Sequence, residues 1–227
     1  MRTLNAGSPE IIGSAVNRST MVRKALLICG ILSGLVWLLT DIVAGLSYKG
    51  YHYPLEAISG LSAIGAPTRP AVVLFDNLYL VLQMAFAIGV RMSAGTKRAP
   101  RVTAALLFVA GALGLASNWF PWNPAAAATT FGNVMHAILS GALTVLLILW
   151  IVWSGRGAGG RRFRLYTYGT LLVFFVVGAL SSQEGSRLMA GLSPRTLGLT
   201  ERVNAYGYML WMMVLAMVLL RIQATEE

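Results

Sequence analysis

Six apolar runs, near residues 25–46, 71–91, 102–119, 131–153, 165–182 and 203–220, dominate this chain of 227 residues. Each has the length, about 18 to 25 residues, that a helix needs to cross a hydrocarbon core roughly 30 Å thick. In lipid the backbone must satisfy its own polar groups, and a helix does so within one segment. The runs therefore predict an all-α, polytopic bundle of six transmembrane helices. Composition agrees: 56% hydrophobic and 11% charged residues at a mean hydropathy of +0.68 leave too few polar side chains to cover a water-exposed surface. A soluble enzyme, a disordered tail and a disulfide scaffold are excluded. Cys29, the single cysteine, lies inside the first run and has no second thiol to pair with.

The first run follows Arg23 and Lys24, as the apolar part of a signal peptide would, but it is too long for that role and five more runs follow. It reads as a retained span. The expected division is a tail over 1–24, one membrane domain over 25–220 and a tail over 221–227. Basic residues alternate in density between the two sides. Arg2, Arg18, Arg23 and Lys24, then Arg91, Lys97, Arg98 and Arg101, then Arg156, Arg161, Arg162 and Arg164, and finally Arg221 fall on one side; Lys49, Arg69, Arg187, Arg195 and Arg202 fall on the other. Basic loops stay cytoplasmic, so both termini are expected inside a prokaryotic cytoplasmic membrane, with the first, third and fifth loops outward. The net charge of +10 follows from this topology and from contact with anionic headgroups. Its scatter over short loops, rather than along one face, argues against nucleic acid.

The inward loops are short and glycine-rich, whereas the outward ones carry patterns. In the first, Pro54 precedes Leu55, Ile58, Leu61 and Ile64 at three-residue spacing, and Gly65 and Pro67 follow as stop signals. This predicts a short helix lying at the membrane interface. The third carries Trp119, Phe120, Pro121, Trp122 and Pro124, an aromatic belt with a rigid turn.

Polar side chains inside spans are costly and so informative. Asp41, Asp76, Asn77, Asn118, Asn133, His136, Gln183, Glu184, Glu201, Arg202 and Asn204 all fall toward the outward ends of the runs, above nearly pure apolar inner halves. Helical spacing aligns Asp76 with Tyr79 and Gln83, Asn133 with His136 and Ser140, and Gly34 with Trp37, Asp41 and Gly45. An outward-facing polar pocket with an apolar floor is expected. Glu184, Glu201 and Arg202 sit within a turn of helix ends, where reaching water or headgroups is the plainer role. Asp41 and His136 lie deeper, and interhelical hydrogen bonding weighs equally with a ligand or proton role. Gly30 and Gly34 form a GxxxG spacing, a weak dimerisation signal. His52, between Tyr51 and Tyr53, reads as an interface residue.

The stretch Ile58-Ser-Gly-Leu-Ser-Ala-Ile-Gly-Ala-Pro-Thr-Arg-Pro70, the span ending Ala85-Phe-Ala-Ile-Gly-Val90, Phe120-Pro121 before His136, and Gly198-Leu-Thr-Glu-Arg-Val203 leading to Trp211 together resemble a prokaryotic integral membrane family known as domain of unknown function 998. The likeness runs from about the first span to the sixth and implies a six-span bundle in a bacterial or archaeal membrane. It brings no catalytic residues. Ser59, Ser62, Gly65, Pro67, Arg69, Pro70, Pro121, His136, Glu201 and Arg202 match its pattern. Arg69 suits a phosphate or, more economically, an ion pair with Glu201 or Asp76.

Three functions fit these residues. The first is binding of a lipid headgroup or small amphiphile, with Asp41, Asp76, His136, Glu201 and Arg202 in the pocket and Arg69 and Glu184 at its rim. The second is a membrane-embedded hydrolase using His136 and carboxylates. The third is a structural or accessory subunit with a membrane-protein partner. Two separated histidines without HExxH or CxxC give no metal motif, and no cofactor is expected. A channel would need polar residues along its whole length.

Overall fold

The computed structural model describes residues 9–157 and 159–226; Arg2 lies outside them. It consists of α1 (Pro9–Ser47), a short 3-10 helix (Ile58–Ser62), α2 (Arg69–Ser93), α3 (Arg98–Ser117), α4 (Phe131–Gly155), α5 (Arg161–Met189) and α6 (Leu197–Glu226). Each of the six α-helices contains a stretch long and apolar enough to cross a membrane. The chain is a multi-pass membrane protein. Every expected span has its helix, extended by a few residues to a full turn or more at most ends, and α1 runs back through the expected tail as far as Pro9.

Each helix packs against the next in sequence, and α6 returns to α1, so the six form a closed up-and-down ring. Its outer surface is apolar. Leu39, Val43, Leu74, Leu172 and Phe175 are each at least 60% exposed, which only a lipid environment makes favourable for so many large side chains.

The ring is not evenly filled. We call the end carrying the 3-10 helix the upper end. In the lower half Leu27, Phe86, Leu107, Ile151, Trp211, Met212 and Leu215 are essentially inaccessible and form one continuous core. Small residues set how closely the helices approach. A Cβ on Gly30 would stand 2.6 Å from the Phe86 ring, and one on Gly89 3.0 Å from the backbone of Leu26, so the α1–α2 seam tolerates nothing larger. Gly34 faces Met213 of α6 in the same way. The GxxxG pair is thus used within the chain, between α1 and two neighbours.

The upper half diverges. On α4 the buried residues are Asn133, at the top, and Trp150, Ile151, Ser154 and Gly155, near the bottom. On α5 they are Phe163, Thr167, Leu171 and Phe174, all in its lower half, and none of residues 175–188 is buried. The two helices therefore grip each other low and part above, leaving a cleft in the ring.

The first loop carries its expected short helix, held more tightly than the apolar spacing implies. Only Leu61 of the three-spaced set is buried, at 1% exposure, while Leu55 and Ile64 point away. The segment is a short helix, as expected, of the 3-10 type and confined to the five residues Ile58–Ser62. Its ends explain why. The Glu201 carboxylate accepts the Ile58 N–H at 2.8 Å. At the other end Thr68 Oγ1 donates to Leu61 O at 2.7 Å and Arg69 donates to Ser62 O. Polar groups of α6 and α2 hold this turn across the top of the bundle. The aromatic belt of the third loop also divides: Trp119 is 84% exposed, whereas the Trp122 carbonyl accepts the Ile64 N–H at 2.9 Å and ties the two loops together.

Candidate functional site

A cavity of about 1070 Å³ fills the upper half of the ring between α1, α2, α4, α5 and α6, beneath the 3-10 helix. Asp41, Asp76, His136, Glu201 and Asn204 line its upper part, and Leu143, Leu147, Ile148, Phe174 and Met209 line its depth. A recess of about 270 Å³ adjoins it toward α3, sharing Trp37, Asp76 and Tyr79. Four of the seven residues singled out from the sequence, Asp41, Asp76, His136 and Glu201, thus face one space.

Their chemical states differ sharply. Asp41 is fully engaged. Arg202 meets it through two parallel bonds, Nε to Oδ2 at 3.0 Å and Nη2 to Oδ1 at 3.1 Å, the planar fork that guanidinium offers a carboxylate. The hydroxyls of Tyr53 and Tyr206 donate to the same Oδ2 at 2.6 and 2.7 Å and also contact each other. Arg202 spends its remaining donors on the carbonyls of Tyr53, Glu56 and Gly198 and on the Tyr51 hydroxyl, at 2.7, 3.3, 3.2 and 2.9 Å. Its guanidinium also lies 3.5 Å over the Tyr53 ring. At 3% exposure Arg202 does not reach headgroups, contrary to its position one turn from a helix end. Desolvation by this packing pushes the Tyr51 phenol up to about 12 and raises that of Tyr53. Both stay neutral donors.

Arg69 pairs with neither Glu201 nor Asp76; it caps the 3-10 helix instead. The geometry is local, since Arg69 opens α2 a few residues after that turn ends. Glu184 accepts the backbone N–H groups of Arg195 and Thr196, at 2.5 and 3.3 Å, just before α6 begins, and its side chain does not line the cavity. Both anchor loops.

Among the described groups that line the cavity, Asp76, one oxygen of Glu201, and parts of His136 and Asn204 have no partner. Asp76 makes no hydrogen bond or ion pair among the described residues; its accessible part faces the cavity while protein surrounds it more widely. The Asn204 carbonyl oxygen is buried with no donor. His136 Nδ1 lies 3.0 Å from Phe120 O. A carbonyl only accepts, so Nδ1 carries the hydrogen, and in the neutral ring Nε2 presents a lone pair. That bond joins the imidazole to neither a serine nor a carboxylate. Deeper down, Gln83 Oε1 accepts from Tyr79 and Tyr208 at 2.9 and 2.6 Å, and its amide donates to Leu107 O at 3.1 Å, closing a satisfied network. Among the described residues no three histidine, cysteine, aspartate or glutamate side chains are grouped to hold a metal ion.

A family described as "Protein of unknown function (DUF998)" matches residues 31–218. The chain belongs to this family. No curated protein and no solved structure matches it. Two of the four DUF998-like stretches quoted from the sequence meet in space. Ile58–Pro70 roofs the cavity, and Gly198–Val203 braces that roof through Glu201 and Arg202. A Cβ on Gly198 would collide with the Glu56 carbonyl, 2.5 Å from that of Tyr53 and 2.9 Å from Arg202, so this DUF998 chain needs glycine where the loop crosses α6. The sequence does not single out Tyr51, Tyr53 and Tyr206 as partners of the Asp41–Arg202 ion pair. The only signal was the aromatic cluster around His52, which is itself exposed.

Proposed function

We propose that this DUF998 protein binds an amphiphile, its head among the polar groups at the upper end of the cavity and its tail along Leu143, Leu147, Ile148 and Phe174. The observation that carries this is a cavity of about 1070 Å³, polar at one end and apolar at the other, whose wall is parted between the upper halves of α4 and α5. Val134 and Ile138 border it and are also 40% and 57% exposed, so the cleft leads from the cavity to lipid. Volume and lining suit a ligand site. The basic-residue distribution supports cytoplasmic termini in a prokaryotic cytoplasmic membrane, and hence a polar end that faces outward.

The test is native mass spectrometry of protein extracted gently from its own membrane. A discrete amphiphile adduct is expected on the wild type and its loss on Gly178→Phe. Gly178 lines the cavity, and a Cβ there meets only the Asn204 amide at 3.7 Å, so the ring fills the void without displacing backbone. A bare wild type, or an adduct that survives the substitution in a protein of unchanged melting temperature, defeats the proposal.

A further inference from the structure

The charge inside the cavity is opposite to that of the chain. The sequence has 18 lysines and arginines against 8 aspartates and glutamates, yet among the described residues the lining contains Asp41, Asp76 and Glu201 and not one lysine or arginine. Arg202 balances Asp41 from behind the wall. Nothing comparable balances Asp76, and Glu201 holds only the Ile58 N–H.

The partnerless atoms carry the same message from uncharged groups. Asn204 Oδ1 is a buried acceptor with no donor, and in the neutral His136 ring, with Nδ1 committed to Phe120, Nε2 offers a lone pair. A buried acceptor left without a donor is costly, and Asn204 Oδ1, with the partnerless atoms of Asp76, Glu201 and His136 around the same void, calls for donors from the occupant. Trp37, Tyr79 and Trp122 border the same space, and aromatic rings attract cations. A bare metal ion does not fit, because the carboxylates and His136 are not grouped as ligands among the described residues. A phosphate or sulfate head would meet carboxylates and lone pairs with no cation to receive it.

We infer that the occupant's head is an organic ammonium group, and that Asp76 is its counter-ion. This rests on the reading of the cavity as an amphiphile site and narrows it. The head pairs with Asp76, in a space that the free Glu201 oxygen and Asn204 also line, while the apolar tail takes the path to the α4–α5 cleft. Asp76 suits the role because it lies between the cavity and the smaller recess and holds no other partner.

The experiment compares octylammonium, octanol and octyl sulfate, three probes of equal chain length, by calorimetric titration of the full chain in nanodiscs, with empty nanodiscs subtracted. Octylammonium is expected to saturate a single site at least about ten-fold more tightly than octanol, with octyl sulfate weakest, because a desolvated charge pair is worth that much or more. Asp76→Asn should remove the ammonium preference by at least about ten-fold while octanol still binds, which shows the cavity intact. Equal or tighter binding of octyl sulfate, or an unchanged ammonium affinity in Asp76→Asn, overturns the inference and leaves the cavity a site for another head. Absence of saturable binding by all three probes overturns the amphiphile reading as well.

Discussion

Breaking the Asp41–Arg202 pair from one side should cost more than removing it whole. The side chains are 2% and 4% exposed, so replacing either alone strands a buried charge. Loss of one partner of such a pair costs about 3–5 kcal/mol. Asp41→Leu leaves the guanidinium facing only carbonyls and the Tyr51 hydroxyl; Arg202→Met leaves the carboxylate with the hydroxyls of Tyr53 and Tyr206. The double variant removes both charges and leaves the Tyr53 carbonyl short of a donor, at a cost of about 1–3 kcal/mol, while the Glu56 carbonyl keeps the Tyr51 hydroxyl. The two tyrosine hydroxyls retain each other. The cycle should therefore close with a coupling of about 3 kcal/mol or more. Reversible unfolding in mixed lipid and dodecyl sulfate micelles, followed by tryptophan fluorescence, measures all four proteins. Additivity of the single variants to within about 0.5 kcal/mol would mean that the pair does not act as one unit, and the account of the roof would fall with it.

Gly198→Ala should lower stability by about 1–3 kcal/mol through collision with loop carbonyls, whereas Gly141→Ala, in open space on α4, should be neutral or raise it by up to about 1 kcal/mol; the same unfolding assay ranks them, and the reverse order refutes the packing described. Tyr51 adds an alkaline dependence. Its phenol is held at about 12 against an ordinary 10.0, so the unfolded chain releases this proton first and stability falls as pH rises from 10.0 toward about 12. Tyr51→Phe should make that fall shallower, and an unchanged slope counts against burial as the cause. In a Cys29→Ser background, Lys49→Cys should react with an impermeant maleimide on intact cells and Lys97→Cys only after permeabilisation; the opposite pattern inverts the proposed orientation.

Much of the architecture is legible in the sequence because lipid imposes a simple rule. A segment with no water to bond to must be helical and apolar for some twenty residues, and six such segments stand out whatever their neighbours do. The placement of polar residues toward one end is legible for the same reason, since each is read against a uniformly apolar background. The first loop was harder. The three-residue spacing of Leu55, Ile58, Leu61 and Ile64 resembles an interfacial helix, but the 3-10 turn is fixed by Glu201, Thr68 and Arg69 at its ends, contacts that the spacing does not encode. Arg202 misled through its position, because one turn from a helix end is ordinarily wet, and only the folding back of the loop over α6 encloses it.

What the sequence determined by itself is the set of six helices and the side on which their polar groups collect. Both follow from local composition weighed against a hydrocarbon solvent. Which of those polar groups are satisfied and which stand open to a cavity was decided by tertiary structure alone. Asp41 and Asp76 are carboxylates at similar depths on neighbouring helices. One meets Arg202, 161 residues away in the chain, with two tyrosines, and the other meets none among the described residues. Pair formation depends on which residues distant in sequence are brought within about 3 Å of each other, and that distance is a property of how the ring closes and where α4 and α5 part.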